Sequence, residues 1–212
     1  SPYTGFAKTK KGTYCYKDGI KWTGWYKKGG KWYYFDPLND GLKAVKTAKT
    51  SLGIYHFDKN GAWNGKYSGS VKRPADFGYS FRFGGGESTE CFFSTKDGIL
   101  SRDAYIDGVD TEKKIKISAR DMQIIYDAFK SSGAENFDAE YAEDTVGIQF
   151  DTSIDVPSFS IEWYSGEECI GSVDCSCTVF YDEYYTASEE VRKLAGLVRF
   201  SRMYLESRAE YK

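Results

Sequence analysis

The spacing of hydrophobic and polar positions changes once along this chain. Up to about residue 71, short aromatic runs alternate with glycine-bearing turns. Beyond it come strictly alternating strands and then helical stripes. The stretch from Trp22 to Asp36, WTGWYKKGGKWYYFD, carries the first pattern most clearly: Trp22–Lys27 and Lys31–Phe35 flank Lys28-Gly29-Gly30. Glycine tolerates the positive φ that a tight hairpin turn requires, so this stretch reads as a β-hairpin. Related units precede and follow it. Gly12–Asp18 runs into Gly19, Trp32–Asp36 runs into Asn39-Asp40-Gly41, and Ile54–Asp58 runs into Asn60-Gly61, at intervals of roughly twenty residues. Asp-Gly and Asn-Gly suit two-residue type I′ turns. A lone hairpin is marginal in water, so the pattern predicts hairpins stacked face to face in a β-solenoid-like array over residues 1–71.

From residue 72 to 212 the pattern predicts an α+β domain with an antiparallel sheet and two helices. Phe77–Phe83 alternates as a half-buried strand, and Gly84–Gly86 turns it. Cys91–Thr95, Lys113–Ile117, Ser158–Tyr164 and Ile170–Val173 read as further strands. Ser118-Ala119-Arg120-Asp121 reads as a capping box ahead of Met122, Ile125, Tyr126 and Phe129, with Gly133 as the stop. A second box at Thr186-Ala187-Ser188-Glu189 opens a helix with Val191, Leu194, Ala195, Val198 and Leu205 on one stripe. Strands come in runs before helices, which favours an antiparallel sheet with helices on one face.

The TGW…GKWYYFD pattern resembles the cell-wall-binding repeat family, which includes the choline-binding and glucan-binding repeats of Gram-positive surface proteins. The resemblance covers about the first third of the chain. It implies a secreted, wall-associated protein whose repeats bind a wall polymer, choline-bearing or another polysaccharide, non-covalently and without a cofactor. Cation–π attraction and ring stacking would supply the contacts. Residue by residue, it nominates Trp25 and Trp32 as ligand-binding rings, with Tyr55 of the next unit closing the site. The pattern departs at Ile54, where a Trp would match Trp32, at Lys66, where one would match Trp25, and at Cys15. The segment 43–51 lacks TGW. Ser1-Pro2 falls inside an incomplete repeat, as expected of a segment of a longer secreted precursor.

The 212 residues carry a formal charge of −2, which gives the whole chain no basic field and no electrostatic case for nucleic acid. Lysines dominate from Lys8 to Lys49, and acids lead from Glu87 onward, so the two parts are expected to meet different partners. A protein partner is a candidate for the second. No stretch approaches the ~18 apolar residues a membrane span needs. Cys15, Cys91, Cys169, Cys175 and Cys177 show no metal-ligand spacing, so thiols, with at most one disulfide in the second half, are expected and no metal.

His56 is the lone histidine and stands where Tyr34 stands in the previous unit. It reads as a packing residue, which leaves Ser-His-Asp and Cys-His chemistry without a base. No enzyme is read here. The alternative from another class is a carboxylate-based wall hydrolase in the second domain, for which Glu140, Glu143 and Asp144, or Glu167 and Glu168, could be nominated. A third reading makes the repeats purely structural, with Trp25 and Trp32 buried against protein.

Overall fold

A computed structural model describes residues 2–85, 88–102, 112–137, 158–176 and 188–212. The chain divides into two compact units, Ser1–Lys72 and Arg73–Lys212.

The first unit is built of three small antiparallel sheets, each of three strands in chain order. The first holds β1 (Gly5–Thr9), β2 (Gly12–Lys17) and β3 (Ile20–Lys21). The second holds β4 (Gly24–Lys28), β5 (Lys31–Asp36) and β6 (Leu42–Lys43). The third holds β7 (Thr47–Lys49), β8 (Ile54–Phe57) and β9 (Trp63–Ser68). The Gly29-Gly30 turn joins β4 to β5, with both residues at positive φ (57° and 74°) and Lys28 paired with Lys31. That is the geometry of a type I′ hairpin.

Of the three Asp/Asn-Gly dipeptides, only Asp18-Gly19 forms such a two-residue turn, between the paired Lys17 and Ile20. The other two close longer loops. In each of these, the aspartate that follows the strand phenylalanine organises the turn. Asp36 Oδ1 accepts from the Leu38 N–H at 2.9 Å, and Asp58 Oδ1 accepts from the Asn60 and Ala62 N–H groups at 2.8 and 3.0 Å. The side chain substitutes for a backbone acceptor, which lets the loop lengthen without orphaned donors.

The second unit holds a six-stranded antiparallel sheet and two helices. The strands are β10 (Phe77–Gly85), β11 (Ser88–Ser94), β12 (Ile99–Arg102), β13 (Lys113–Lys114), β14 (Ser158–Ser165) and β15 (Glu168–Ser176), ordered β13-β12-β11-β10-β14-β15. The helices are α1 (Ala119–Ser132) and α2 (Glu189–Ser207). They pack on each other and on the sheet face bearing Phe77, Tyr79, Phe93 and Trp163. Phe129 reaches Phe77 and Trp163 (ring centroids 5.5 and 5.2 Å), Tyr204 reaches Phe93 (5.3 Å), and the hydroxyls of Tyr79 and Ser201 hydrogen-bond at 2.7 Å.

Helix α1 starts where the sequence predicts: Ser118 Oγ accepts from the Asp121 N–H at 3.0 Å, and Gly133 ends the helix at φ 69°. Helix α2 starts later than its apparent capping box. Its cap is Ser188, which accepts from the Val191 N–H, while Thr186 lies outside the described residues. The strand expected to run to Ile117 ends at Lys114, because Ser118 must already leave the sheet to cap α1.

Candidate functional site

The two Trp-x-Gly turns of the first unit are the same structure used twice. The Trp22 indole N–H donates to the Trp25 carbonyl at 3.0 Å, and the Trp63 indole N–H donates to the Lys66 carbonyl at 2.9 Å. The intervening glycines, Gly24 and Gly65, both adopt positive φ (85° and 84°). Glycine is required there because L-residues resist that conformation. The indole therefore folds back over its own turn, and its large ring is fixed against the sheet while its polar edge is satisfied.

Between the second and third sheets the rings converge. Trp25 lies edge-on to Tyr55 at 4.8 Å and to Trp32 at 6.4 Å, tilted on Tyr34 at 5.0 Å, with Phe57 and Trp63 at 5.9 and 6.2 Å. The structure thus brings together all three nominated residues. It also closes them: Trp25 and Trp32 are each 3% exposed and Tyr55 is 0% exposed. Rings so packed fill one another's faces rather than present an open cage, and an ammonium is already present, that of Lys27, 5.5 Å from the Trp32 centroid. In this arrangement the cluster works as core.

The equivalent interface between the first and second sheets is more open. Phe6 on β1 corresponds to Trp25, since Phe6 pairs with Cys15 as Trp25 pairs with Tyr34. Its ring meets Tyr33, Phe35 and Tyr26 at 5.1, 5.2 and 5.9 Å. Phe6, Tyr26 and Tyr33 are half-buried rather than closed off. The Lys28 ammonium lies 4.5 Å from the Phe6 centroid, and the Lys43 ammonium lies 5.8 Å from Phe6 and 5.6 Å from Tyr33. Lys43 Nζ also donates to the Asn60 carbonyl at 2.8 Å, just as Lys21 Nζ donates to the Asp40 carbonyl at 3.3 Å one sheet earlier. Each lysine thereby ties its sheet to the loop of the next. The glycines beside those carbonyls leave the room: a Cβ on Gly61 would sit 2.9 Å from the Ala44 carbonyl oxygen. Burial holds the Lys43 ammonium below its ordinary pKa; the nearby Lys8 charge adds to this and Asp58 opposes it.

Phe6, Tyr26, Lys28 and Lys43 escaped the sequence reading: β1 carries only one aromatic and no turn dipeptide, so its packing on the rings of the second sheet, which makes Tyr26, Lys28 and Lys43 its neighbours, had no signal in the turn pattern. The signal that could have found them is strand alternation, which puts Lys8 on the same side as Phe6 and Lys28 on the same side as Tyr26.

The other candidate groups gather into nothing similar. His56 is half-buried on β8, paired with Thr47. Glu167 and Glu168 stand exposed at the β14–β15 hairpin, with Glu167 bound to Lys96 at 2.9 Å, and Glu140, Glu143 and Asp144 lie outside the described residues. Cys15 and Cys91 are buried and Cys169 is exposed; Cys177 lies outside the described residues. Among the described residues no cluster of three or more His, Cys, Asp or Glu could hold a metal ion, and no helix is long and apolar enough to cross a membrane. Comparison with protein-family models, with curated proteins and with solved structures yields no match.

Proposed function

We propose that residues 1–72 are a short β-solenoid-like array of cell-wall-binding-type repeats. On this reading the protein is secreted and wall-associated and holds a surface polymer non-covalently, without catalysis, while the second unit serves binding or scaffolding. The observation that carries the reading is the equivalence of successive sheets. Ring positions that meet across the second and third sheets, Trp25 with Tyr55, meet again across the first and second, Phe6 with Tyr33. A repeated interface with repeated ring placement is what an array of such modules requires.

The polymer contact falls to the half-open rings. The Trp25–Trp32–Tyr55 cluster has no free face, whereas Phe6, Tyr26 and Tyr33 retain exposed area. Sedimentation of the full chain with purified Gram-positive walls tests this. Retention is expected for the wild type and is expected to fall in a Phe6→Ala, Tyr33→Ala double variant.

A second reading, in which the repeats are structural throughout, draws on the same burial of Trp25 and Trp32. It expects no retention of either protein.

A further inference from the structure

The whole-chain charge of −2 conceals a strong division between the units. Residues 1–72 hold fourteen Lys against four Asp, with no Arg or Glu, a formal charge of +10, whereas the second unit stands at −12. The lysines of the first unit are not evenly spread with respect to its rings. On β1, Lys8 follows Phe6 by two residues; on β4, Lys28 follows Tyr26 by two; on β5, Lys31 precedes Tyr33 by two. Side chains two apart in a strand share a face, so each of these lysines stands on the side of its sheet that carries a ring of the Phe6 cluster. Lys43, on β6 opposite Phe35, joins the same face. The outcome is a floor of half-buried rings, Phe6, Tyr26 and Tyr33, rimmed by Lys8, Lys28, Lys31 and Lys43.

The rim has little internal neutralisation. None of these four lysines forms an ion pair with a described carboxylate; Asp58, the acid whose field reaches Lys31 and Lys43, is occupied by backbone N–H groups of its own loop. Lys28, Lys31 and Lys8 are exposed. Ammonium groups are mobile point charges, suited to anions that recur along a chain rather than to one planar group gripped bidentately. Exposed ring edges beside them suit the apolar C–H faces of sugars. A cationic ligand such as choline would meet repulsion from four lysines here.

We infer that this face binds a polyanionic glycan, a polymer whose sugars or polyols carry repeating carboxylates or phosphodiesters. The C–H faces of the sugar or polyol pack on Phe6 and Tyr33, and the anions engage Lys8, Lys28 and Lys31. The inference rests on the reading of residues 1–72 as a polymer-binding array and specifies its ligand.

The test is binding of the full chain to four immobilised probes: polygalacturonate (carboxylate), poly(glycerol phosphate) (phosphodiester), dextran (neutral glycan) and double-stranded DNA (a polyanion without accessible sugar faces). Expected is saturable binding to polygalacturonate, poly(glycerol phosphate) or both, weakening about tenfold or more between roughly 50 and 300 mM NaCl. A Lys28→Ala, Lys31→Ala variant, which removes two exposed side chains at the strand ends together with the Lys28 contact on Phe6, is expected to lose about tenfold in binding while still melting cooperatively. Tyr33→Leu is expected to weaken glycan binding while leaving any DNA binding unaltered. Binding to dextran alone would overturn the anionic ligand and leave the polymer-binding array standing. Equal binding to DNA and glycans, indifferent to Tyr33→Leu, would overturn the inference as unspecific charge attraction. Failure of all four probes would overturn it as well, and the wall sedimentation would then decide the array reading separately.

Discussion

Trp25 of the second sheet meets Tyr55 of the third edge-to-face, with ring centroids 4.8 Å apart and both rings essentially without solvent contact. The two residues lie in different sheets, so their ring packing adds to the backbone bridge between Tyr33 and Ala62 and to the hydrogen bond from Lys43 to the Asn60 carbonyl, which also join those sheets. Edge-to-face pairs add roughly 0.5–1.5 kcal/mol beyond the apolar area they bury.

Truncating Trp25 should therefore destabilise the fold strongly. Trp25→Ala is expected to cost about 3–5 kcal/mol, the range for emptying a buried aromatic site. Urea denaturation followed by near-UV circular dichroism checks it. A cost below about 1 kcal/mol would show that the rings do not pack as described.

The back-folded indoles make a more local prediction. Trp22→Phe keeps a ring but removes the N–H that satisfies the Trp25 carbonyl, and the same holds for Trp63→Phe and the Lys66 carbonyl. Each is expected to lose about 1–2 kcal/mol in chemical denaturation, the Trp22 change more because its hydrogen bond is fully buried. Equal stability of both variants with wild type would remove the proposed role of the indole N–H.

Much of this architecture was legible. The Gly29-Gly30 hairpin, the α1 cap at Ser118 and the buried stripe of α2 follow from local chemistry that nothing distant overrides. The site was less so. Pattern matching brought Trp25, Trp32 and Tyr55 together, but whether rings at an interface are open or closed depends on what faces them. Tyr34, Phe57 and Trp63 close this one. The charge division was legible as a lysine-rich first part and an acidic second, although the whole-chain sum hid its size, because +10 and −12 nearly cancel. The loops after Phe35 and Phe57 also escaped the turn rule, since Asp36 and Asp58 supply acceptors from side chains that dipeptide preferences do not count.

Lys46 offers a gain of stability. It adopts φ 71°, and it stands before the third sheet where Gly24, at φ 85°, stands at the start of the second. A non-glycine residue pays about 1–2 kcal/mol there, partly offset by glycine's greater freedom when unfolded. Lys46→Gly is thus expected to raise stability by about 0.5 kcal/mol, read as a higher urea midpoint. A lowered midpoint would mean that the Lys46 side chain makes contacts worth more than the strain.

Asp58, in the β8–β9 loop, should contribute to acid sensitivity. The Asp58 carboxyl is held below its ordinary 3.8 first by the Ala62 N–H, with the Asn60 N–H and the Lys31 charge adding to the effect. A carboxyl depressed in the folded state contributes stability above its unfolded pKa and loses it as pH falls through the folded value. Asp58→Asn retains the Oδ1 acceptor and removes the titration. Its melting temperature is expected to fall less steeply than that of wild type as pH drops below about 4. Parallel acid limbs in the two proteins would rule Asp58 out as a contributor.

The most direct check on the closed aromatic cluster is a choline titration of the full chain followed by tryptophan fluorescence. Four of the five tryptophans lie in the first unit, so a ligand entering between the second and third sheets would report itself. The structure predicts a flat, unsaturable response, because Trp25, Trp32 and Tyr55 already cover one another's faces. A saturable change that Trp32→Ala abolishes would contradict it and establish an open cage in place of a closed core.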